Sequence, residues 1–498
     1  MAAQTSDCGA IGNECQAEPR GHGIFNCTEA AAASIKAGTD VNCGGIYQGQ
    51  IETAVQTGLL SESDVDKAFA RLTTQQMLLG LFDNDKDSQP YFNLGVDHID
   101  TPEHQNLALE AARQTVVLLK NGEGLLPLGQ KGAKNIAIVG PHFNATQLLL
   151  SNYHGSRCLD PGMPGPGSGK NFDCIVTPLE AITDRNSKSG GWVKGALGCS
   201  VASNDGSGIA KAVALASEAD VVVLAMGIDD QQEREGLDRT ITTLPGRQVD
   251  LVNAVLKAKG GKDVILVLFS GGAMSLGPLK DAVPAIVSAG YGGERGAEGL
   301  ADVLFGVYNP TGKLAATMYP PDYVNQIPLT EMGLTVPPGR THMFYSGTPE
   351  FAFGSGLSYT KWGVQWGEDV SGAKDDSGAM VWSLSEEKTL NERKITVHLT
   401  NAGDTHAGQQ TVLLFWRPTN HSHPALTSYV RQKLVGYQGT PNALRPGQSA
   451  ALQFKVSPAV LGMHIGGSDE AEIYAGEYEL FASVGDGREI SVKVRVVA

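Results

Sequence analysis

Between Gly227 and Gln248 the chain concentrates the residue types that acid–base chemistry uses. Asp229, Asp230, Glu233, Glu235 and Asp238 fall in one short loop, with Arg234 and Arg239 among them. Crowded carboxylates repel one another, which can raise the pKa of one and fit it to act as a general acid. A solvated acidic loop is the competing reading of the same composition. The elements on either side decide where such a loop would stand. Val221 to Ala225 is an apolar, β-branched run of the kind that forms a strand buried on both faces. Pro245 then opens a helical pattern with Val249, Val252 and Val255 on its apolar side. In an open α/β sheet, a loop leaving the carboxyl end of a strand is the usual place for a site.

The 498 residues suffice for two to four domains. A net charge of −15 argues against nucleic-acid or anionic-membrane partners, which need basic patches. No apolar run approaches the ~20 residues that span a bilayer. The opening MAAQTSDCGA carries neither the charged nor the apolar region of a signal peptide. The seven cysteines, at 8, 15, 27, 43, 158, 174 and 199, form no CxxC pair, so neither a metal nor another cofactor is expected. Their odd number leaves at least one unpaired if the others form disulfides. Triplets at Asn26-Cys27-Thr28, Asn144-Ala145-Thr146 and Asn420-His421-Ser422 would permit glycosylation. Nothing in composition or motif speaks to oligomeric state.

Along the chain, helices are expected over Glu29 to Lys36 and in two further segments. The second of these is capped by Ser61 and Asp64, with Val65, Ala68, Leu72 and Met77 as its apolar stripe. A polar linker follows, and Thr101-Pro102 starts a helix whose apolar face is read as Leu107, Ala111, Val116 and Leu118. Strands are then predicted at Ile136–Val139, Val221–Ala225, Val264–Phe269 and Ala285–Ser288. Helices are predicted near Ile209–Ala216, Arg247–Lys257 and Arg295–Leu304, and this alternation implies a mainly parallel sheet covered on both faces. The loop Pro161 to Lys170 ends in GSGK but is not a phosphate loop. Position 164 is Pro where Gly is required, and Asn171 follows the lysine. Gly339 to Thr360 reads as a crossing between domains. Beyond it, KITVHLTN, QQTVLLFW, AALQFKVS, GEYELFASV and ISVKVRVV alternate like the strands of a β-sandwich.

Several blocks also resemble a known family. SDCGAI at the N-terminus, AGTDVNCG at 37–44, QPYFNLG at 89–95 and TPEHQNLALEAARQTVVLLKN at 101–121 are similar to glycoside hydrolase family 3. So are EREGLDRTITTLPGRQ at 233–248, the AGYGGERG block from 289, and GRTHMFY…FAFGSGLSYT at 339–360. The likeness is to the β-xylosidase/α-L-arabinofuranosidase branch, because Cys8 follows Asp7 where the β-glucosidase branch usually has Trp.

The resemblance implies an α/β chain in three parts. Residues 1–85 would be the tail of a (β/α)8 barrel, 86–105 a linker, 106–365 an α/β sandwich and 385–498 a fibronectin type III-like β-sandwich. It implies a retaining, exo-acting glycosidase that releases sugars from the non-reducing end of xylan-derived oligosaccharides. Asp7 would be the nucleophile and Glu235 the acid/base, with Arg234 in place of the usual small residue and Glu233 as the fallback. A retaining pair needs carboxyl groups ~5–5.5 Å apart, one ionised and one protonated. Arg239 is read as a structural, salt-bridged arginine rather than an orienting one. Within the implied barrel, Cys8 and Cys43 are one candidate pair, between the ends of adjacent strands, and the other pairings stay open. The expected partner is an oligosaccharide or polysaccharide, with no nucleic acid and no membrane, and the family places such enzymes outside the cell or in its wall. A whole barrel takes about 250 residues and the nucleophile sits late in it, so six strands would be lacking before Asp7. The chain alone is then expected to have little activity and to leave apolar helix faces bare. Other readings are a β-glucosidase of the same family, or a non-catalytic carbohydrate-binding fragment.

Overall fold

The computed structural model of the protein describes residues 3–15, 25–83, 85, 89–130, 134–154, 172, 174–237, 239–371, 374–383, 393–419, 423–464 and 471–497. The loop over 161–170, Asp238 and the triplet at 420–422 lie outside the described residues. The chain divides into two compact units, Met1–Thr101 and Pro102–Ala498.

In the first unit, Thr5 and Val41 form a parallel bridge, and the Ser6 N–H donates to the Val41 carbonyl at 2.8 Å. Helices α1 (Ala10–Cys15), α2 (Cys27–Lys36), α3 (Ile46–Gln56) and α4 (Glu62–Leu78) surround these two extended pieces. Capping boxes start two of them: Asn26 with Glu29 on α2, and Ser61 with Asp64 on α4, the latter as expected. Disulfides join Cys8 to Cys43 and Cys15 to Cys27; Cys174 is disulfide-bonded as well, and Cys199 is a buried free thiol. A small core of Ala32, Ile35, Ala54 and Leu60 holds the helices together. The apolar stripe expected on α4 is only partly buried. Ala68 is covered, but Met77 is 61% exposed, and Phe69, Leu78, Leu81 and Phe82 stand open beside it. Helix α4 is tied down instead by Arg71, whose Nε donates to the buried Asp40 at 2.9 Å. That guanidinium holds the Asp40 carboxyl below the usual carboxylate range.

The second unit begins with α5 (Pro102–Thr115), inside the stretch read as linker, and β1 (Val117–Asn121). Val116 and Leu118 are therefore not on the helix, as the sequence pattern suggested; β-branched and apolar residues from Val116 to Leu119 favour a strand once the helix has ended. The sheet continues with β2 (Ile136–Val139), β3 (Val193–Ala196), β4 (Val221–Gly227), β5 (Val264–Phe269) and β6 (Ala285–Ser288). Its order is β1-β6-β5-β4-β2-β3, parallel except for β1, which runs antiparallel to β6. The four predicted strands are present. Strand β3 was missed because an edge strand reading VKGA, half exposed, carries little apolar signal.

Between the strands lie α6 (Gln147–Leu150), α7 (Pro178–Asn186), α8 (Ile209–Glu218), α9 (Gln248–Ala258), α10 (Leu279–Ala282) and α11 (Gly296–Phe305). Alternate strand residues point to opposite faces, so two cores form. Val222, Leu224 and Met226 pack with Ala212 of α8 and Val252 of α9. Val221, Val223 and Ala225 pack with Ile182 of α7 and Leu300 of α11. The two faces account for the complete burial of β4, as its composition implied.

Two further sheets enclose a third core. One runs β11 (Lys433–Gly439), β10 (Thr411–Pro418), β13 (Gly476–Ser483), β14 (Glu489–Val497) and β8 (Ala379–Ser383), and the other β12 (Ser449–Val456), β9 (Arg393–Asn401) and β7 (Trp362–Trp366). Trp362, Trp382 and Trp416 are buried in the common core with Val397, Leu414 and Tyr478. Strands β7 and β8 precede residue 385, where the sequence pattern placed the start of this part. Hydrogen bonding to β9 and β14 carries it back to Trp362. The segment from Gly339 to Thr360 passes between the two regions: Leu357 N–H donates to the Leu118 carbonyl at 2.7 Å, and Gly356 N–H to that of Gly485 at 2.9 Å.

One buried charge ties three helices. Asp302 of α11 is fully covered and receives Arg113 of α5 at 2.7 Å and Arg185 of α7. Removing the carboxylate would strand two guanidinium groups against an apolar interface. Asp302→Ala is expected to lower unfolding free energy by about 3 kcal/mol, measured by urea denaturation, and Asp302→Asn by less.

Candidate functional site

The strand order places the acidic loop. From β2 the chain moves to one side of the sheet, to β3; from β4 it moves to the other, to β5. The carboxyl ends of β2 and β4 therefore flank the point where the connections diverge, and a crevice opens at such a point. Gly140 to Phe143 leave one side of it and Gly227 to Asp230 the other.

The base of the loop is closed by one buried amide. Gln248, at the start of α9, is wholly buried. Its Oε1 accepts from the Gly227 N–H at 2.8 Å, and its Nε2 donates to the Gly227 carbonyl at 2.7 Å and to that of Val201 at 2.8 Å. Gly227 has φ +142°, and a Cβ there would lie 2.0 Å from the Phe269 carbonyl oxygen, so no other residue fits. His142 packs edge-on against Phe269 and also hydrogen-bonds the Gly227 backbone. Its Nε2 is buried without a partner among the described residues. Burial drives the imidazole pKa down to about 4, so the ring is neutral at neutral pH.

Beyond its base, the loop runs along the segment that follows β5. Glu233 accepts from the Gly271 and Gly272 N–H groups, at 2.5 and 3.2 Å, and from the Tyr291 hydroxyl at 2.8 Å. Arg239 faces Glu233 at 3.4 Å and donates to the Ala273 carbonyl at 3.2 Å. Further on, Ser275 N–H donates to the Thr242 carbonyl at 2.8 Å. Side chains at 271 and 272 would obstruct these contacts. A Cβ would stand 2.9 Å from Glu233 Oε1 at the first position and 2.8 Å from Arg239 Nη2 at the second. Burial and the adjacent Glu233 carboxylate push the Tyr291 phenol well above its ordinary range, which keeps it a donor.

The two candidate acids are thus in different situations. Glu233 is mostly covered, with both oxygens committed to the loop's own contacts. Glu235 lies at the tip, exposed, in a turn closed by Leu237 N–H to the Arg234 carbonyl at 3.0 Å, and it meets the hydroxyl of Tyr153. At the loop's start the half-buried Asp229 has its pKa raised, first by burial and further by the charge of Asp230. Arg239 is salt-bridged to Glu233 within the loop and also donates to the segment after β5. Asp7, in the first unit, is exposed; its carboxylate accepts the Cys8 N–H at 2.9 Å just before α1. Gln248, Tyr291, Gly271, Gly272 and His142 were not picked out from the sequence. Glycines directly after a buried strand were the available signal for close approach; the others carry none. Among the described residues no cluster of three or more His, Cys, Asp or Glu could hold a metal, and no helix is long and apolar enough to cross a membrane.

This fold and this loop have known counterparts. Residues 116–359 match the family described as the glycosyl hydrolase family 3 C-terminal domain, and this part of the chain is a domain of that kind. Among its relatives, the chain is 34% identical over 505 residues to the probable beta-D-xylosidase 7 of Arabidopsis thaliana, covering 97% of this chain and 61% of that protein. It is 43% identical over 337 residues to beta-D-xylosidase 1 of the same plant, covering 67% of this chain and 41% of that one. A solved family 3 exo-beta-xylosidase (XlnD), in complex with a xylobiose aziridine probe, superposes with a TM-score of 0.80 at 30% identity, covering 100% of this chain and 61% of that one. A b-glucosidase from Erythrobacter marinus superposes with a TM-score of 0.72 at 26% identity, covering 100% of this chain and 63% of that one. The chain spans about six-tenths of the length of the relatives it matches most fully.

The buried neutral His142 gives a pH test of the loop's base. Between pH 6.5 and about 4 the unfolded chain takes up a proton on this ring and the folded chain does not. Its contribution therefore lowers stability as pH falls through that window and levels off below it, by roughly 3 kcal/mol in all. His142→Gln should remove that part of the slope, seen as a smaller loss of urea midpoint between pH 6.5 and 4 than in the unsubstituted protein.

Proposed function

We propose that this chain belongs to a retaining, exo-acting β-xylosidase that removes xylose from the non-reducing end of xylan-derived oligosaccharides. The observation that carries this reading is the loop after β4: one carboxylate, Glu233, is tied into the protein, and the other, Glu235, is held out at the tip. In this reading the Asp7 carboxylate attacks the anomeric carbon and forms a glycosyl ester, while Glu235 gives its proton to the departing oxygen. Glu235 then takes a proton from the water that cleaves the ester, which restores both groups. Glu233 is ranked below Glu235 because its oxygens already accept from two amides and a phenol.

The first unit is read as the end of a (β/α)8 barrel, supported by the parallel bridge between Thr5 and Val41 and the helices that follow each. The part from Trp362 onward is read as fibronectin type III-like, supported by two antiparallel-rich sheets over one core. Function outside the cell or in its wall is supported by the disulfides of the first unit, which persist in oxidising compartments.

The test uses aryl xylosides of graded leaving-group ability. Glu235→Ala should cut turnover of poor leaving groups by about 10²–10⁴-fold, spare dinitrophenyl xyloside, and recover with azide. Asp7→Asn should abolish turnover of all of them. If Glu233→Ala shows the leaving-group dependence and azide rescue instead, the acid/base is Glu233. Binding of xylo-oligosaccharides without turnover, unchanged by Glu235→Gln, would replace the enzyme reading with a carbohydrate-binding one. Higher rates on aryl glucoside than on aryl xyloside would move the substrate to glucosides.

A further inference from the structure

The loop that carries Glu235 is fastened at a second point, away from its base, by a contact the catalytic reading does not use. Tyr291 rises from the segment after β6, and its hydroxyl meets Glu233 Oε1 at 2.8 Å. The same oxygen accepts from Gly271, and Gly272 reaches both oxygens at 3.2 Å. Thus donors from the ends of two neighbouring strands, β5 and β6, converge on one carboxylate of a loop that comes from a third, β4. Glu233 lies two residues before Glu235, which sits inside the exposed turn closed by Arg234 and Leu237.

We propose that Tyr291 is the positioning residue of this loop: by holding Glu233 against the Gly271 and Gly272 amides, it fixes where Glu235 is presented. The physical basis is reach. Gln248 pins Gly227, but Glu235 is eight residues farther along, too far for the base alone to define its position. The Glu233 contact lies two residues from Glu235 and fixes the backbone from which the turn springs, while Glu235's own carboxylate meets the Tyr153 hydroxyl farther out. A charge-assisted hydrogen bond is the stronger kind, and Tyr291 is buried enough that water does not compete well for its hydroxyl. Neither Tyr291 nor Glu233 needs to touch substrate in this role.

The inference rests on the reading that Glu235 is the acid/base, but its first test does not require turnover. Trypsin can cut the loop after Arg234, which is exposed, only when the turn opens. In the full chain, Tyr291→Phe and Glu233→Gln should each speed cleavage at Arg234 by about tenfold or more, and speed amide exchange over 229–239, with unchanged global melting. The double variant should be no faster than Glu233→Gln alone, because Tyr291 acts on the loop only through that side chain. Wild-type cleavage and exchange in Tyr291→Phe would overturn the proposal, as would additive effects in the double variant. If Tyr291→Phe does not fold, Tyr291→Leu, which also removes the hydroxyl, decides the question by the same two readouts. Where turnover is measurable, Tyr291→Phe should lower kcat with KM unchanged and steepen its dependence on leaving group; a fall in both through loss of folded protein would count against the proposal. Failure of Glu235→Ala to show the acid/base signature would remove the catalytic reading and leave the loop measurements standing.

Discussion

The buried amide of Gln248 is the interaction on which the rest of the site depends. A side-chain amide taken wholly out of water must find partners for its donors and acceptor, or it costs stability. Gln248 finds them in both backbone groups of Gly227 and in the Val201 carbonyl. It thereby joins the residue where β4 ends to the residue where α9 begins, and the loop between them leaves from a closed neck. The left-handed backbone at Gly227 and the carbonyl of Phe269 pressed against it make that junction a glycine. A loop anchored this way can hold several carboxylates without each being independently placed.

The loop's charges are then sorted by position. Asp229 is half buried and its pKa is raised. Glu233 is bound by two amides, a phenol and Arg239, and Glu235 stands at the exposed tip against the Tyr153 hydroxyl. Mutual repulsion among the acidic residues, the first idea that the composition suggests, has a smaller part than burial and specific donors. At Asp229 burial is the larger cause, and the neighbouring Asp230 only adds to it. The same loop is therefore partly the solvated acidic surface that its composition allowed and partly an ordered device.

Where the chain crosses from the six-stranded sheet to the β-rich part, close backbone contacts accompany the apolar packing. The segment 354–357 is glycine-rich because it threads a narrow gap, donating to Gly485 on one side and Leu118 on the other. A Cβ at Gly356 would lie 2.1 Å from the Gly312 carbonyl oxygen. The aromatic, glycine-rich composition of this stretch marked it as a crossing, and close approach of backbones explains why it has that composition.

The sequence by itself determined the elements with strong periodic or β-branched signals. Strands β2, β4, β5 and β6, the two-faced burial of β4, the capping box at Ser61 and most strands of the β-rich part follow from local preference and side-chain alternation. It also carried the family resemblance, and with it Asp7 and Glu235 as residues of interest. It did not determine β1, β3, β7, β8 or β11, whose short or half-exposed segments become strands through their neighbours' hydrogen bonds, nor the end of α5 before Val117. Tertiary structure alone decided which of the two loop glutamates is bound to backbone amides and which stands at the exposed tip. That choice depends on where Gly271, Gly272 and Tyr291 arrive from the ends of other strands. Contacts between residues forty to sixty positions apart leave no mark on local spacing, because they are set by how the strands order in the sheet.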